Sequence, residues 1–300
     1  YYEEGVVFIE HGHQYDTFCS FDNLLHPVSP ADPRRTIRSL SDVLLRYVVR
    51  PTRGMTEAGH AASSAVDYVR FAARLGARGT FTLLQRFAGA IAALLALWHE
   101  HVSFAAQRIR AEHEHRMAAL SRIQRVQLER LRSLAKLQRP PVTRSLLALL
   151  SCLMLDRLML GTLGALMLAV LWLFVDSWEL GLFCAAPLAL LLSGTDLLWR
   201  RMRESLEPSA ELRARSSFVA GLFPAAFVVM GHTHLPETVP VAERATYVNL
   251  GAWAEEEPEA GREPSLPATR THLVLTHVGD EALGQLLTWG DAGPQPFLKA

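Results

Sequence analysis

The sequence predicts an α/β fold in which a β-rich frame, built from both ends of the chain, is interrupted by a large α-helical insertion. The first observation is a pair of apolar runs rich in β-branched residues, 6–9 and 227–230, each leading directly into a histidine-containing turn. The second is that helical patterns prevail between these runs. The third is an apolar block at 145–199, which predicts a membrane-associated segment inside the insertion.

This order of signals predicts four segments. The two parts of the frame are residues 1–25 and 204–300, the helical insertion is residues 26–144, and a hydrophobic helical hairpin is residues 145–203.

After the second histidine turn the chain is predicted to be mostly β. Pro, Gly and acidic linkers separate short apolar runs there, and residues 255–268 predict a solvated loop. Further strands are predicted at residues 247–251, 271–276 and 283–289.

The insertion is predicted to begin with helices at residues 37–49, 65–75 and 79–97. One long helix is predicted over residues 104–138, because apolar residues recur at roughly helical spacing until the prolines at 140–141. Arginine and lysine outnumber glutamate on this helix. It therefore either presents an ordinary solvated face or contacts anionic lipid headgroups.

The apolar block contains two candidate membrane helices. Residues 158–175 carry no charge and have the length needed to cross a hydrocarbon core of roughly 30 Å, and residues 180–199 follow after a short polar break. Arginines flank the block, so the positive-inside rule places both ends of a transmembrane hairpin at the cytoplasmic side of the inner or plasma membrane. The alternative is a water-soluble helical domain in which Asp156, Arg157 and Asp196 mark turns.

Charge and cysteine content narrow the choice of partners. Basic and acidic residues cancel, so no global field indicates nucleic acid. The cysteines, Cys19, Cys152 and Cys184, are too far apart to suggest a disulfide framework, which fits a reducing cytosol. Two further His-Glu-His triplets, 99–101 and 113–115, lie on predicted helices, where residues two apart face different directions. His99 and His113 could share one helix face, but surface or membrane-edge histidines are favoured over a second metal site.

The clearest chemical motif is Gly-His-Thr-His at residues 231–234. Extended residues two apart point to the same side, so His232 and His234 can serve one site. Neutral imidazoles bind Mn, Fe, Zn or Ni well, and the glycine allows the backbone to turn close to an ion. A second pair, His11 and His13, follows the other apolar run, which favours a metal site over a chance His-X-His pattern.

Three short segments resemble the motifs of one family in the same order. Residues 6–16 (VVFIEHGHQYD) and 227–237 (FVVMGHTHLPE) resemble the last two metal motifs of the calcineurin-like metallophosphoesterases. Residues 247–253 (YVNLGAW) resemble the strand and Asn-X-Gly turn that often follow them. The resemblance implies that the frame is the carboxyl-terminal half of a metallophosphoesterase β-sandwich.

The resemblance also implies two divalent ions that activate a water for attack on a phosphoester, phosphodiester or pyrophosphate bond. Carried over by position, His11 and His232 bind one ion and His234 binds the other. His13 and Asp16 either orient a ligand or contact the leaving group, or make only local hydrogen bonds. The form of the first motif is similar to phosphoesterases grouped near the UDP-2,3-diacylglucosamine hydrolases, which implies a lipid-linked substrate.

The family's remaining ligands, including the bridging carboxylate, come from Asp-X-His, Gly-Asp and Gly-Asn-His motifs that we expect upstream of Tyr1. The chain by itself is then an incomplete part of the enzyme, with weak metal binding and negligible turnover. The alternative is a non-catalytic, membrane-associated scaffold that keeps a phosphoesterase-like frame and uses the basic helix to bind partners or lipid. A purely helical membrane protein does not account for the two strand-to-histidine units.

Overall fold

A computed structural model describes residues 1–52, 73–153, 155–175, 177–202, 207–253, 270–279 and 281–297. The loop predicted at residues 255–268 and most of the helix predicted at residues 65–75 lie outside these ranges. The chain divides into two compact units. The first consists of Tyr1–Pro141 with Glu207–Ala300, and the second is Val142–Leu206.

A five-stranded mixed sheet forms the centre of the first unit. Its strands are β1 (Tyr2–Glu3), β2 (Gly5–Ile9), β3 (Ala225–Met230), β4 (Glu237–Ala242) and β5 (Ala245–Asn249), in the order β1-β2-β3-β5-β4. β2, β3 and β5 are parallel, whereas β1 and β4 are antiparallel to their neighbours. The carboxyl ends of the three parallel strands therefore meet at one edge of the sheet.

A second, antiparallel sheet covers one face of the first. It contains β6 (Thr271–Val278), β7 (Glu281–Gly290) and β8 (Gly293–Pro296). Buried Val7, Phe227, Val229 and Val248 of the five-stranded sheet form one apolar cluster with Leu286 of β7. The two sheets thus share a core, as sheets packed face to face do.

Helices cover the other face of the five-stranded sheet. Helix α8 (Pro208–Leu222) contacts β3, β4 and β5. Its Leu212 and Val219 are fully buried against Phe8 and Val228 of the sheet. Helices on one face and a second sheet on the other give a layered arrangement of both element types. The predicted α/β class is confirmed at this level.

The insertion contains helices α1 (Leu40–Leu44), continued by a π-helical turn (Leu45–Val49), α2 (Gly76–Val102), α3 (Phe104–Gln124) and α4 (Leu128–Leu137).

The single helix predicted over residues 104–138 is wrong, because the chain breaks between α3 and α4. Arg125 adopts a left-handed conformation (φ 55°), and its N–H donates to the carbonyl of Ser121. The hydroxyl of Ser121 donates in turn to the carbonyl of Val126. The break redirects α4 so that Leu131 and Leu134 pack against the sheet cluster, and this tertiary contact outweighs the helical periodicity of the sequence.

The second unit is helical. It contains a 3-10 turn (Val142–Arg144), α5 (Leu146–Cys152), α6 (Leu155–Phe174) and α7 (Trp178–Met202), and α6 contacts α7. The backbones of Asp156, Arg157 and Asp196 lie inside helices, so the turns that the water-soluble alternative places there are wrong. Large apolar side chains are exposed on this unit, including Leu147, Leu163, Leu166, Leu173, Phe183 and Leu190.

Among the described residues, one helix is long and apolar enough to cross a membrane, and it is α2 (Gly76–Val102) rather than a helix of the hairpin. Buried core helices of soluble proteins meet the same criterion. The apolar stretches of the hairpin, Met159–Leu173 and Phe183–Thr195, are shorter.

Candidate metal centre

The first histidine turn is pressed tightly against the fold. After β2 the chain turns at Gly12, whose φ is 96°, and enters a 3-10 turn at His13–Tyr15. A Cβ atom at Gly12 would lie 3.0 Å from the side chain of Leu212 and 3.5 Å from that of Met230. Both the left-handed backbone and the close contact therefore require glycine here.

Glu10 holds this turn together from within. Its carboxylate accepts hydrogen bonds from Nε2 of Gln14 at 2.5 Å and from the hydroxyl of Tyr15 at 2.6 Å. Burial raises the pKa of Glu10 to about 7, and these hydrogen bonds only partly oppose that shift. Burial likewise raises the pKa of Tyr15, so its hydroxyl stays a donor. The backbone direction from Glu10 to Tyr15 is thus set by a buried polar network.

The second histidine turn is sharper than the sequence predicts. β3 ends at Met230, and the N–H of Thr233 donates to the carbonyl of Gly231 at 2.8 Å, which closes a three-residue turn around His232. His232 has φ 69° and His234 has φ 59°. The expected extended alternation of these two histidines is therefore wrong. Positive φ at a non-glycine residue is costly, and residues held in such strained conformations cluster at functional sites.

Asn249, at the end of β5, fixes this strained turn. Its side chain is fully buried, and Nδ2 donates to the carbonyl of Gly231 and to Oγ1 of Thr233, both at 2.8 Å. Its Oδ1 accepts the N–H of Gly251 at 3.0 Å. Asn249 supplies the geometry of the turn, because these bonds satisfy polar groups that the tight backbone leaves unpaired.

The two turns meet at the edge of the sheet. The N–H of Gly231 donates to the carbonyl of His11 at 3.1 Å. Nδ1 of His11 lies 3.2 Å from Nδ1 of His13, and Nε2 of His232 lies 2.9 Å from Oδ2 of Asp16. The ring centroids of His11 and His232 are 5.5 Å apart. Four of the five residues expected at the site, all except His234, thus form two close pairs of possible metal ligands on neighbouring loops.

His234 lies at the same edge with an exposed side chain. Its charge is close enough to His11 to lower the pKa of that imidazole. Among the hydrogen bonds and ring contacts of the described residues, none joins the side chain of His234 to either pair of possible metal ligands. His234 therefore lies near His11 without making the side-chain contacts that join the other four residues.

Electrostatics favours neutral imidazoles in this cluster. Burial, followed by the neighbouring rings of His11 and His232, lowers the pKa of His13 to about 4. Burial also lowers the pKa of His11, reinforced by His232 and His234. At neutral pH each of these rings is therefore neutral, with one N–H group and one free nitrogen lone pair, and a neutral imidazole is the form that binds a metal ion.

The spacing of the donor atoms fits a shared cation. Metal–nitrogen and metal–oxygen bonds of about 2.0–2.2 Å at square or tetrahedral angles put two ligand atoms about 2.9–3.6 Å apart. The separations of 3.2 Å between His11 and His13 and of 2.9 Å between His232 and Asp16 lie in this range. Asp16 and His13, expected beside the ligands, offer donor atoms of their own.

Cys19 is a further candidate that the sequence did not indicate. Its Sγ and the ligand atoms of Asp16 and His232 all lie within 4.8 Å of one another. A lone cysteine six residues after the second histidine of the first motif matches no zinc spacing. The only available signal was the Asp-X-X-Cys interval in a short turn, which brings two side chains to one side.

Comparisons of this chain with protein-family models, with curated proteins and with solved structures each find no match. The resemblance to metallophosphoesterases therefore rests on the three short sequence motifs alone.

Proposed function

We propose that this sheet edge is part of a metal-dependent centre that hydrolyses a phosphoester, phosphodiester or pyrophosphate bond. The observation that carries the proposal is the convergence of two histidine turns from neighbouring parallel strands. His11, His13 and Asp16 follow β2, and His232 follows β3. Ligands are commonly bound at the carboxyl ends of parallel strands, because loops meet there and the backbone leaves room.

In this proposal His11, His232 and His234 hold two divalent ions, with Mn, Fe, Zn or Ni as candidates. When bound, such ions activate a water molecule and offset the charge that develops on phosphorus oxygens. His13 and Asp16 lie 3.2 Å and 2.9 Å from the ligand atoms of His11 and His232, so they either position those atoms or add ligand atoms of their own. Asn249 keeps His232 in its strained conformation, so the ligand is preorganised before an ion arrives.

The ring of Phe21 stands edge-on to that of His13, with centroids 5.3 Å apart. This ring contact packs the loop that follows the 3-10 turn against His13.

A lipid-linked substrate at the cytoplasmic membrane face is the second part of the proposal. The exposed apolar side chains of α6 and α7 support it, since large exposed apolar surfaces mark contact with membranes or partners. A hydrophobic hairpin beside the site in sequence would keep the enzyme where such a substrate resides.

The experiment compares hydrolysis of bis(p-nitrophenyl) phosphate and p-nitrophenyl phosphate by residues 1–300 and by the protein extended upstream of Tyr1, each with added Mn²⁺ or Zn²⁺. We expect metal-dependent turnover only from the extended protein, because residues 1–300 contain neither the Asp-X-His motif, whose carboxylate is a ligand in the family, nor the Gly-Asn-His motif. If upstream sequence contains no such carboxylates and no activity is found, the scaffold function replaces this proposal. Metal-dependent turnover by residues 1–300 alone would contradict the expected incompleteness.

A further inference from the structure

Cys19 occupies a position that the metallophosphoesterase motifs do not explain. It lies after the 3-10 turn that follows His13, half-buried, with Sγ within 4.8 Å of the ligand atoms of Asp16 and His232. Within the described part of the chain this is the one group of three such side chains with ligand atoms that close together. It joins a carboxylate, a thiol and an imidazole from two separate loops.

We propose that Cys19 is a thiolate ligand of the ion held by His232 and Asp16, so that this position takes a thiophilic cation of the Zn²⁺ class rather than Mg²⁺ or Mn²⁺. The inference rests on the metal-binding part of the proposed function and is independent of whether the site hydrolyses phosphoesters. Thiolate ligands select zinc-like ions, whereas all-oxygen sites suit Mg²⁺ and Mn²⁺.

The backbone already holds Asp16 and Cys19 on the same side. The carbonyl of Asp16 accepts the N–H groups of Cys19 at 3.0 Å and Ser20 at 2.8 Å, which makes a tight turn. Oδ1 of Asp16 accepts the N–H of Phe18 at 2.8 Å. That bond fixes the carboxylate so that Oδ2 faces His232. One carboxylate oxygen is therefore occupied locally and the other is directed at the proposed ion.

Charges balance in this ligand set. A carboxylate and a thiolate neutralise a divalent ion, and a neutral imidazole adds no charge. On binding, the S–H bond of Cys19 breaks, a metal–sulfur bond forms and the proton passes to solvent. Nε2 of His232 exchanges its contact with Asp16 for the ion, and the ring proton resides on Nδ1. Binding therefore releases one proton from the thiol for each ion.

Small side-chain movements complete the site. Zinc–sulfur and zinc–nitrogen bonds of about 2.3 Å and 2.0 Å imply tetrahedral S···N separations of about 3.5 Å, against ligand atoms that now lie within 4.8 Å. Cys19 meets this need by rotating away from Oγ of Ser41, to which it donates at 3.2 Å. These three ligands leave a fourth tetrahedral position, which His11, the other histidine expected on this ion, or a water molecule fills.

The test is Co²⁺ titration of residues 1–300, since cobalt replaces zinc and gives a near-ultraviolet charge-transfer band only when a thiolate binds it. We expect the band in the wild-type protein and in Cys152→Ser, and its loss in Cys19→Ser. Zn²⁺ affinity of Cys19→Ser should fall by more than the roughly 10–100-fold that loss of an outer partner costs, whereas Mn²⁺ affinity stays unchanged. Cobalt binding without the band, or a band that survives in Cys19→Ser, would overturn the inference.

A second measurement uses the unmodified sequence and does not depend on how a variant folds. Iodoacetamide labelling of Cys19, followed by peptide mass analysis, should be slowed by Zn²⁺ and not by Mn²⁺, with Cys152 as the internal control. Equal labelling of Cys19 with and without Zn²⁺ contradicts the inference. A cobalt band that depends on Cys19 in residues 1–300 supports the thiolate site, whereas the proposed function fails only if the extended protein shows no metal-dependent hydrolysis, so the two failures are distinguishable.

Discussion

Nε2 of His232 lies 2.9 Å from Oδ2 of Asp16, although 216 positions separate the two residues in the sequence. The contact exists because β2 and β3 pair in parallel, with Phe8 opposite Val228, and bring the loops that follow them to the same edge. The whole insertion lies between these strands. The site therefore depends on correct pairing of two distant segments, and changes that loosen either turn should weaken metal binding.

Asn249→Ala tests the support of the second turn. We expect a loss of about 2–3 kcal/mol in the free energy of unfolding, because buried partners of Nδ2 and Oδ1 become unpaired. Zn²⁺ affinity should fall as well, since His232 is no longer held at positive φ. Urea unfolding and calorimetric titration measure the two effects, with the half-buried Asn23→Ala as the matched control. Unchanged Zn²⁺ affinity in a destabilised Asn249→Ala protein would show that the turn held by Asn249 does not position a metal ligand.

Gly12→Ala tests the first turn. The added Cβ meets Leu212 at 3.0 Å on a backbone with φ 96°, so we expect destabilisation of about 1–3 kcal/mol. The control is Gly221→Ala within α8, where a Cβ meets nothing within 4 Å. There the change should be neutral or stabilising by up to about 1 kcal/mol, because alanine is the better helix former. Equal thermal stability of the two variants would argue against the close packing at Gly12.

Glu10→Gln tests the buried polar network through its pH dependence. The pKa of Glu10 is raised to about 7 in the folded state, so the folded chain binds its proton more tightly than the unfolded chain. Below the pKa that Glu10 has in the unfolded chain, its protonated carboxyl contributes its full stabilisation. This stabilisation is lost as the pH rises from the model value of 4.5 to about 7. The loss is at most about 3 kcal/mol. In urea unfolding between pH 4 and pH 8.5, the free energy of unfolding of Glu10→Gln should lack this pH-dependent loss. Parallel pH profiles for the two proteins would refute a raised pKa at Glu10.

Lysine substitutions test membrane contact. Leu166→Lys on α6 and Leu190→Lys on α7 replace exposed apolar side chains of the hairpin. We expect both to reduce cosedimentation with anionic vesicles, because charge in the hydrocarbon region is costly. Val278→Lys, on an exposed position of β6, is the control. If only Leu84→Lys on α2 reduces binding, that helix and not the hairpin contacts the membrane. If the protein remains monomeric and soluble without lipid or detergent, membrane contact by the hairpin and membrane contact by α2 are both contradicted.

Sequence patterns predicted the elements in which burial governs residue choice. β2, β3 and β5 correspond to predicted apolar runs because both faces of these strands are covered. β4 was missed, since Pro240 and alternating exposed residues obscure an edge strand. The break at Arg125 was missed because no glycine or proline marks it. Local periodicity carries no information on the tertiary contacts that redirect α4.

The candidate site was predictable in part. His11, His13, Asp16 and His232 converge because strand ends in a parallel sheet share an edge, which the motifs indicated. The three-residue turn at His232 was not predictable, because it depends on a side chain from β5, and Asn249 lies 17 positions away in the chain. Cys19 joins the group only through the path of the loop after His13.

The most direct test of the metallophosphoesterase proposal is the metal-dependent hydrolysis rate of the protein before and after His232→Ala. His277→Ala, an exposed histidine of β6, is the matched control. We predict that hydrolysis requires added Mn²⁺ or Zn²⁺, that His232→Ala and His234→Ala abolish it, and that His277→Ala leaves it intact. Undiminished hydrolysis by His232→Ala, with folding and metal content confirmed, would contradict the assignment of this sheet edge as the metal centre.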